Sequence, residues 1–219
     1  MTDVSFLAGV ELFAQFDESE VGRLAAVAEH RQLRRGDTLF VEEDASTELY
    51  VVVRGRIAIA KKSIDGRESM MALMEQDDLI GEMAFFDGEG RSAEARALEP
   101  SEVIAIPYAE LRGIYESRPE LLWSVTSMLV RRLRSTDDAL ADSVFLDVTG
   151  RTAKRLLELA GDADEFSLPI TQEELAGMVG ASRERVNKAI ASFIRLGWIE
   201  QHERRYRITD REQLSRRAI

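Results

Sequence analysis

Apolar residues change their spacing three times along this chain, and each spacing predicts a different kind of element. From Phe6 to about Ala28 the positions Leu7, Leu12, Phe13, Val21, Leu24 and Val27 suggest short helices. Between about 30 and 106 the runs become short and rich in Val and Ile: "TLFVEE", "ELYVVVRGRIAIAKKS", "ESMMALM" and "SEVIAIP". Breaks fall at Arg35-Gly36-Asp37, Arg54-Gly55-Arg56 and Asp65-Gly66. An Asp-Gly pair between two extended runs is a strong hairpin signal. Strands at this spacing predict an antiparallel sandwich or barrel-like roll.

From Pro119 the period turns helical, and a proline suits the first turn of a helix, where its missing N–H costs nothing. Leu122, Val125, Leu129, Leu133, Thr136, Leu140 and Val144 then form one apolar stripe, with Arg131, Arg134 and Asp138 on the other faces. So long a helix beside a small β domain has too little surface to bury its stripe alone. A second copy of the chain is the expected partner, with packing onto its own domain as the alternative. "FLDVTGR", Phe145–Arg151, interrupts the stripe and reads as a hinge, and "TAKRLLELAG" follows as a helix ended by Gly161. Thr171 heads "TQEE", a capping box with Glu174. Gly180 turns the chain, and Ser182 caps a further helix with a predicted buried face of Val186, Ile190, Phe193 and Ile194. "WIEQHERRYRI" predicts a small hairpin in which Trp198 and Ile199 face Tyr206 and Ile208. The resulting fold class is α+β. An N-terminal antiparallel β-roll is expected over residues 1–118, a long dimerisation helix with its hinge over 119–146, and a helix-turn-helix over 147–219.

Composition excludes more than it proposes. With 219 residues, 45% hydrophobic and 32% charged, the chain can bury a real core in two domains or one large one. No basic leader precedes an apolar core, and no run nears the roughly 18 apolar residues that span a bilayer, so a cytoplasmic protein without a membrane partner is expected. Absence of cysteine excludes disulfides and iron–sulfur clusters, and His30 and His202 lie far apart, so neither a metal nor a bound cofactor is expected. Charge is uneven. Lys and Arg number 29 against 40 Asp and Glu, for −11; from Gly150 onward the count is 13 against 11, leaving −13 on residues 1–149. An acidic front and a mildly basic back fit one part kept off DNA and another allowed onto it.

A capped helix, a glycine turn and a second capped helix within so short a stretch have the size of a helix-turn-helix. In "SRERVNKAIASF", Arg183, Glu184, Asn187 and Lys188 lie opposite the apolar face. Arg183 and Lys188 can donate to guanine, Glu184 can accept from cytosine N4, and the Ser182 hydroxyl at the helix start suits a backbone phosphate. The competing reading is a Glu184–Lys188 surface pair with Arg183 merely solvated. The tandem helices, the caps and the following hairpin favour a base-reading helix, and Thr171, Ser182, Arg183, Glu184, Asn187 and Lys188 form the candidate DNA-binding set.

The stretch "GEMAFFDGEGRSAEA" sets Arg91 and Ser92 among Glu82, Asp87, Glu89 and Glu94. Taken alone, Arg91 reads as a surface ion-pair residue. Yet "GEMAFFDGEGRSA", "FLDVTGR" and "LAGMVGASRERV", arranged around a long helix, resemble the cyclic AMP receptor protein (catabolite activator) and fumarate-nitrate reductase regulator family of bacterial transcription factors. The likeness runs from about Leu7 to Ile208. It implies a homodimer with a cyclic-nucleotide-binding β-roll, a dimerisation helix and a winged helix-turn-helix.

By this resemblance a short helix over the roll presents backbone N–H groups to a cyclic phosphate. Arg91 would neutralise that phosphate and Ser92 would add a hydroxyl. Glu82 would accept from the ribose 2′-OH, with Gly81 and Met83 lining the sugar side. Thr136 matches an adenine-contacting Thr, and Asp137 stands where the family often has Ser, supplied by the partner subunit. An ionised Asp137 would attract the adenine amino group and repel guanine O6, so cAMP is expected over cGMP. Lys188 stands where many members have Arg, which keeps a donor and loses the bidentate fork. The implied partners are double-stranded DNA with a palindromic TGTGA-like site, cAMP, a second copy of the chain and RNA polymerase. The alternatives are the same regulator active without ligand or responding to another nucleotide, a scaffold that binds nucleotide without DNA, and an enzyme using Glu82 or Asp87 as a base. Nothing pairs these two carboxylates with a nucleophile or a metal cluster.

Overall fold

The computed structural model describes residues 4–64 and 68–219. They divide into two units, up to Leu133 and from Arg134 onward. The first begins with α1 (Val4–Gly9), a single 3-10 turn at Glu11–Phe13 and α2 (Glu18–Val27). Asp17 starts α2 by accepting from the Glu20 N–H at 2.9 Å, while the Glu20 carboxylate accepts from the Asp17 N–H at 2.8 Å. Leu7, Leu12, Phe13, Val21 and Leu24 are buried as their spacing predicts, whereas Val27, at the end of α2, is 40% exposed.

The strands follow as β1 (Glu29–Leu33), β2 (Thr38–Phe40), β3 (Glu48–Arg54), β4 (Ile57–Lys62), β5 (Glu68–Met74) and β6 (Leu79–Ile80). After the short α3 (Met83–Asp87) come β7 (Glu94–Ala97), β8 (Ser101–Pro107) and α4 (Tyr108–Ser117). Two four-stranded antiparallel sheets result, ordered β1-β8-β3-β6 and β2-β7-β4-β5. The Asp65-Gly66 turn lies outside the described residues; β4 and β5 pair from Ile57↔Met74 to Lys62↔Glu68.

Side chains on successive strand residues point to opposite faces, and in β3 and β8 both faces are covered. Leu49, Val51, Ile104 and Ile106 pack with Leu7, Phe13, Leu24, Leu111 and Ile114 of the helices. Tyr50, Val52, Val103 and Ala105 turn the other way, onto Ile57, Ile80, Ala95 and Ala97 inside the roll. These strands therefore read as continuous apolar runs instead of alternating ones.

The long helix α5 (Leu122–Phe145) is entered through a separate 3-10 turn, Pro119–Leu121, so the proline precedes the helix instead of opening it. Of the predicted stripe only Val125 is buried, joined by Met128; Leu133, Leu140 and Val144 are 60%, 64% and 68% exposed. Among the described residues no helix is long and apolar enough to cross a membrane.

The second unit contains α6 (Val148–Ala160), β9 (Glu165–Ser167), α7 (Gln172–Val179), α8 (Arg183–Arg195), β10 (Ile199–His202), β11 (Arg205–Ile208) and α9 (Arg211–Arg217). The hinge is shorter than expected: only Leu146 and Asp147 separate α5 from α6. Asp147 accepts from the Gly150 N–H at 2.8 Å, and this cap draws Val148–Arg151 into the helix. Ile194 is 41% exposed, and Ala189 joins Val186, Ile190 and Phe193 on the buried face of α8. Trp198 stacks on Phe193, rings 5.8 Å apart, while Tyr206 pairs with Gln201 and stacks on Phe166; of the predicted cross-strand partners only Ile199 and Ile208 stand opposite each other. Strand β9 joins the hairpin as a third strand, and α9 seats a fully buried Leu214. Neither element was foreseen from the spacing.

Candidate ligand pocket and nucleic-acid interface

Gly88, in a left-handed conformation at φ 76°, ends α3 and starts the loop that carries Arg91 toward β7. The loop is fixed by its own backbone: the Arg91 N–H donates to Asp44 O at 3.0 Å, and the Glu43 N–H donates to Arg91 O at 2.8 Å. The Arg91 side chain turns inward and the residue is only 5% exposed. Its guanidinium lies 4.2 Å from the Phe40 ring centre and 5.3 Å from that of Tyr50. Nη1 donates to Gly81 O and to Tyr108 Oη, both at 3.1 Å, and Nη2 donates to Glu48 O at 2.7 Å. Every one of these acceptors is neutral, and Nε is buried without a partner. The carboxylate that acts on it through space, Glu82, is itself paired with Arg132, so a buried cation bonded only to neutral oxygens favours an incoming anion. Gly81 is required twice over: its φ is 84°, and a Cβ there would collide with Arg91 Nη1.

Glu82, 2% exposed, lies beside this group. Burial pushes its carboxyl above the usual range, opposed mainly by the charge of Arg132. Arg132, on α5, pairs with Glu82 and donates through Nη2 to Leu79 O at 3.0 Å. Met83 is half exposed, and the Ser92 hydroxyl donates to its Sδ at 3.6 Å. Gly81, Glu82, Met83, Arg91 and Ser92 thus gather around α3 and the loop after it. Thr136 and Asp137 stand on the part of α5 that belongs to the second unit, both exposed.

In the second unit, Thr171 and Glu174 close the capping box, Oγ1 accepting from the Glu174 N–H at 3.2 Å. Gly180, at φ 67°, makes the turn, and Ser182 Oγ accepts from the Arg185 N–H at 3.4 Å. Helix α8 then presents Arg183, Glu184, Asn187 and Lys188 together to solvent. Lys188 Nζ donates to Glu184 Oε1 at 2.7 Å, and this holds the Glu184 carboxyl below its usual range. The surface pair weighed as a competing reading is therefore present. At about three-quarters exposure on both sides it is weak enough to yield to a base edge. A cleft of about 340 Å³ lies beside the reader helix, lined by Thr171 and Arg183 and by Arg204 and Tyr206 of the hairpin.

A cyclic nucleotide-binding domain model matches residues 30–118, and a Crp-like helix-turn-helix domain model matches residues 150–217. The CRP-like cAMP-activated global transcriptional regulator of Mycobacterium tuberculosis is 36% identical over 97% of this chain and 98% of its own length. The chain belongs to the CRP/FNR family of transcription regulators. The cAMP-activated global transcriptional regulator CRP of Salmonella typhimurium is 36% identical over 70% of this chain and 76% of its own. FixK2 of Bradyrhizobium japonicum shares the fold at a TM-score of 0.80, with 20% identity over 88% of this chain and 98% of that one. Like the family, this CRP-type protein combines cyclic-nucleotide-binding and DNA-binding domains, and the family is one of regulators, not enzymes.

Sequence reasoning missed two residues in these sites. Arg132 carried no signal, because on the helical pattern it is one of several charges off the apolar stripe. Arg204 lies in the "ERR" run at the hairpin tip and could have been noticed there; its Nη2 donates to Ile170 O at 3.2 Å, bracing the cleft.

Proposed function

We propose that this CRP-family regulator is a homodimer controlled by cAMP that reads a palindromic TGTGA-like site in the major groove. The observation that carries the ligand reading is the Arg91 guanidinium, buried against neutral oxygens with Nε unfilled. One monoanionic phosphodiester supplies the missing charge. Ser92 adds a hydroxyl, Glu82 the acceptor for the ribose 2′-OH once its pairing with Arg132 adjusts, and Gly81 and Met83 the sugar-side wall. Thr136 and Asp137 meet the purine, with Asp137 selecting adenine over guanine. The exposed leucines of α5 are the surface for a second copy. A ligand touching the long helices of both subunits would favour one helix arrangement and set the two reader helices about 34 Å apart, one turn of DNA. Arg183, Glu184, Asn187 and Lys188 then face base edges, Thr171 and Ser182 face phosphates, and RNA polymerase is the downstream partner.

Calorimetric titration with cAMP and cGMP, followed by a gel shift on a labelled palindrome, tests this. Wild type should prefer cAMP and bind DNA more tightly with it, and Arg91→Leu should lose that enhancement while remaining dimeric by sedimentation. DNA affinity that still rises with cAMP in Arg91→Leu would remove the phosphate assignment. Full DNA affinity without any nucleotide would replace ligand control by constitutive binding.

A further inference from the structure

We infer that Tyr108 is a positioning residue for ligand binding, acting through Arg91; the inference rests on the cyclic-nucleotide reading above. Tyr108 opens α4, anchored by its N–H to Thr47 O at 2.8 Å, and is 8% exposed. Its ring lies 5.1 Å from that of Phe85 on α3, the helix that also carries Met83. Its hydroxyl stands where three separate segments meet. Oη donates its one proton to Gly81 O at 2.5 Å, accepts from Arg91 Nη1 at 3.1 Å, and lies 2.6 Å from Ser46 Oγ. With the phenol proton committed to Gly81, Ser46 is the donor of the last bond, and one donor and both lone pairs of the oxygen are in use.

The consequence is geometric. Arg91 and Gly81 belong to the loops after α3 and after β6, and Ser46 to the segment entering β3; backbone bonds to Glu43 and Asp44 tie the Arg91 loop to that segment, but among the described residues none ties the Gly81 carbonyl to either. The phenol does. It supplies an acceptor on one side of Nη1 and restrains the carbonyl on the other, while Glu48 O takes Nη2. The guanidinium plane is thereby set before ligand arrives, with three of its five N–H groups committed to neutral oxygens and Nε unpaired. Phenylalanine at 108 would keep the packing on Phe85 and lose only this alignment. The effect should therefore fall on the charged part of the ligand.

The test is calorimetry on the full-length protein with two probes, cAMP and the uncharged adenosine, the latter read by displacement. Tyr108→Phe should weaken cAMP about tenfold, the loss of a hydrogen bond to a charged group, and leave adenosine within about twofold, with a cooperative thermal melt retained. Ser46→Ala, one bond further out, should give a smaller loss of the same kind and carries the test if Tyr108→Phe fails to fold. Equal losses for cAMP and adenosine would make Tyr108 a purely structural residue and overturn the inference. So would undiminished cAMP affinity in a variant whose parent binds it. If wild type itself failed to bind cAMP, the proposed function would fall, and this positioning role with it.

Discussion

Two buried or half-buried glutamates of the N-terminal unit meet opposite fates. Glu82 is enclosed, and desolvation raises its carboxyl despite Arg132. Glu102, on β8, is held down to about 2 by hydrogen bonds from Gln32, Arg54 and His30. Because Glu102 is depressed in the fold, its stabilisation is present above its ordinary value of 4.5 and is lost as pH falls through about 2. Glu102→Gln should therefore lose stability less steeply than wild type between those two values, as read by denaturant midpoints along the acid limb. Equal slopes would mean that the network contributes nothing. Glu82 has the opposite sign: its contribution is greatest below its ordinary value and declines as pH rises through the raised one. At this scale the chemistry of Arg91 and Ser92 could be anticipated from neighbouring residues and a family likeness, whereas Glu82–Arg132 could not. That pair joins residues 50 apart, and no local pattern encodes it.

At the scale of elements, caps were the most legible feature. Thr171 and Ser182 cap their helices and Gly180 turns the chain as expected, the glycine by a left-handed conformation, since these needs are met within four residues. Removing the Thr171 acceptor with Thr171→Ala should cost about 1 kcal/mol and lower the denaturant midpoint of the C-terminal unit; an unchanged midpoint would show that Glu174 alone satisfies the helix start. The hinge was less legible. "FLDVTGR" marks a break, but the extent of the break depends on Asp147 capping α6 and on Arg217 of α9, whose Nη2 donates to Asp147 at 2.5 Å. That contact spans 70 residues.

For the whole molecule, the apolar stripe of α5 is the decisive feature. Leu129, Leu133, Leu140 and Val144 lie on a continuous face and are all more than a third exposed. Burying one such leucine is worth roughly 1.5–3 kcal/mol, so an uncovered row is costly in water. Leu133→Asp combined with Leu140→Asp should convert the proposed dimer to monomer in sedimentation velocity. It should also abolish tight binding to a palindrome while leaving each unit's melting behaviour intact. A double variant that still sediments as dimer would place the interface elsewhere.

Local chemistry in the chain was enough to determine the change from strand period to helix period, the caps and turns, the apolar stripe, and the presence of one arginine and one hydroxyl in a glycine-rich acidic loop. Each of these depends on residues within a few positions of one another. Tertiary structure alone decided that Arg91 turns inward onto Gly81, Tyr108 and Glu48, that Arg132 reaches Glu82, and that α9 closes on the start of α6. The physical reason is the same in each case. These partners meet only after the sheets and helices have packed, and it is burial, absent from any single stretch of sequence, that turns an ordinary surface cation into a group in need of an anion.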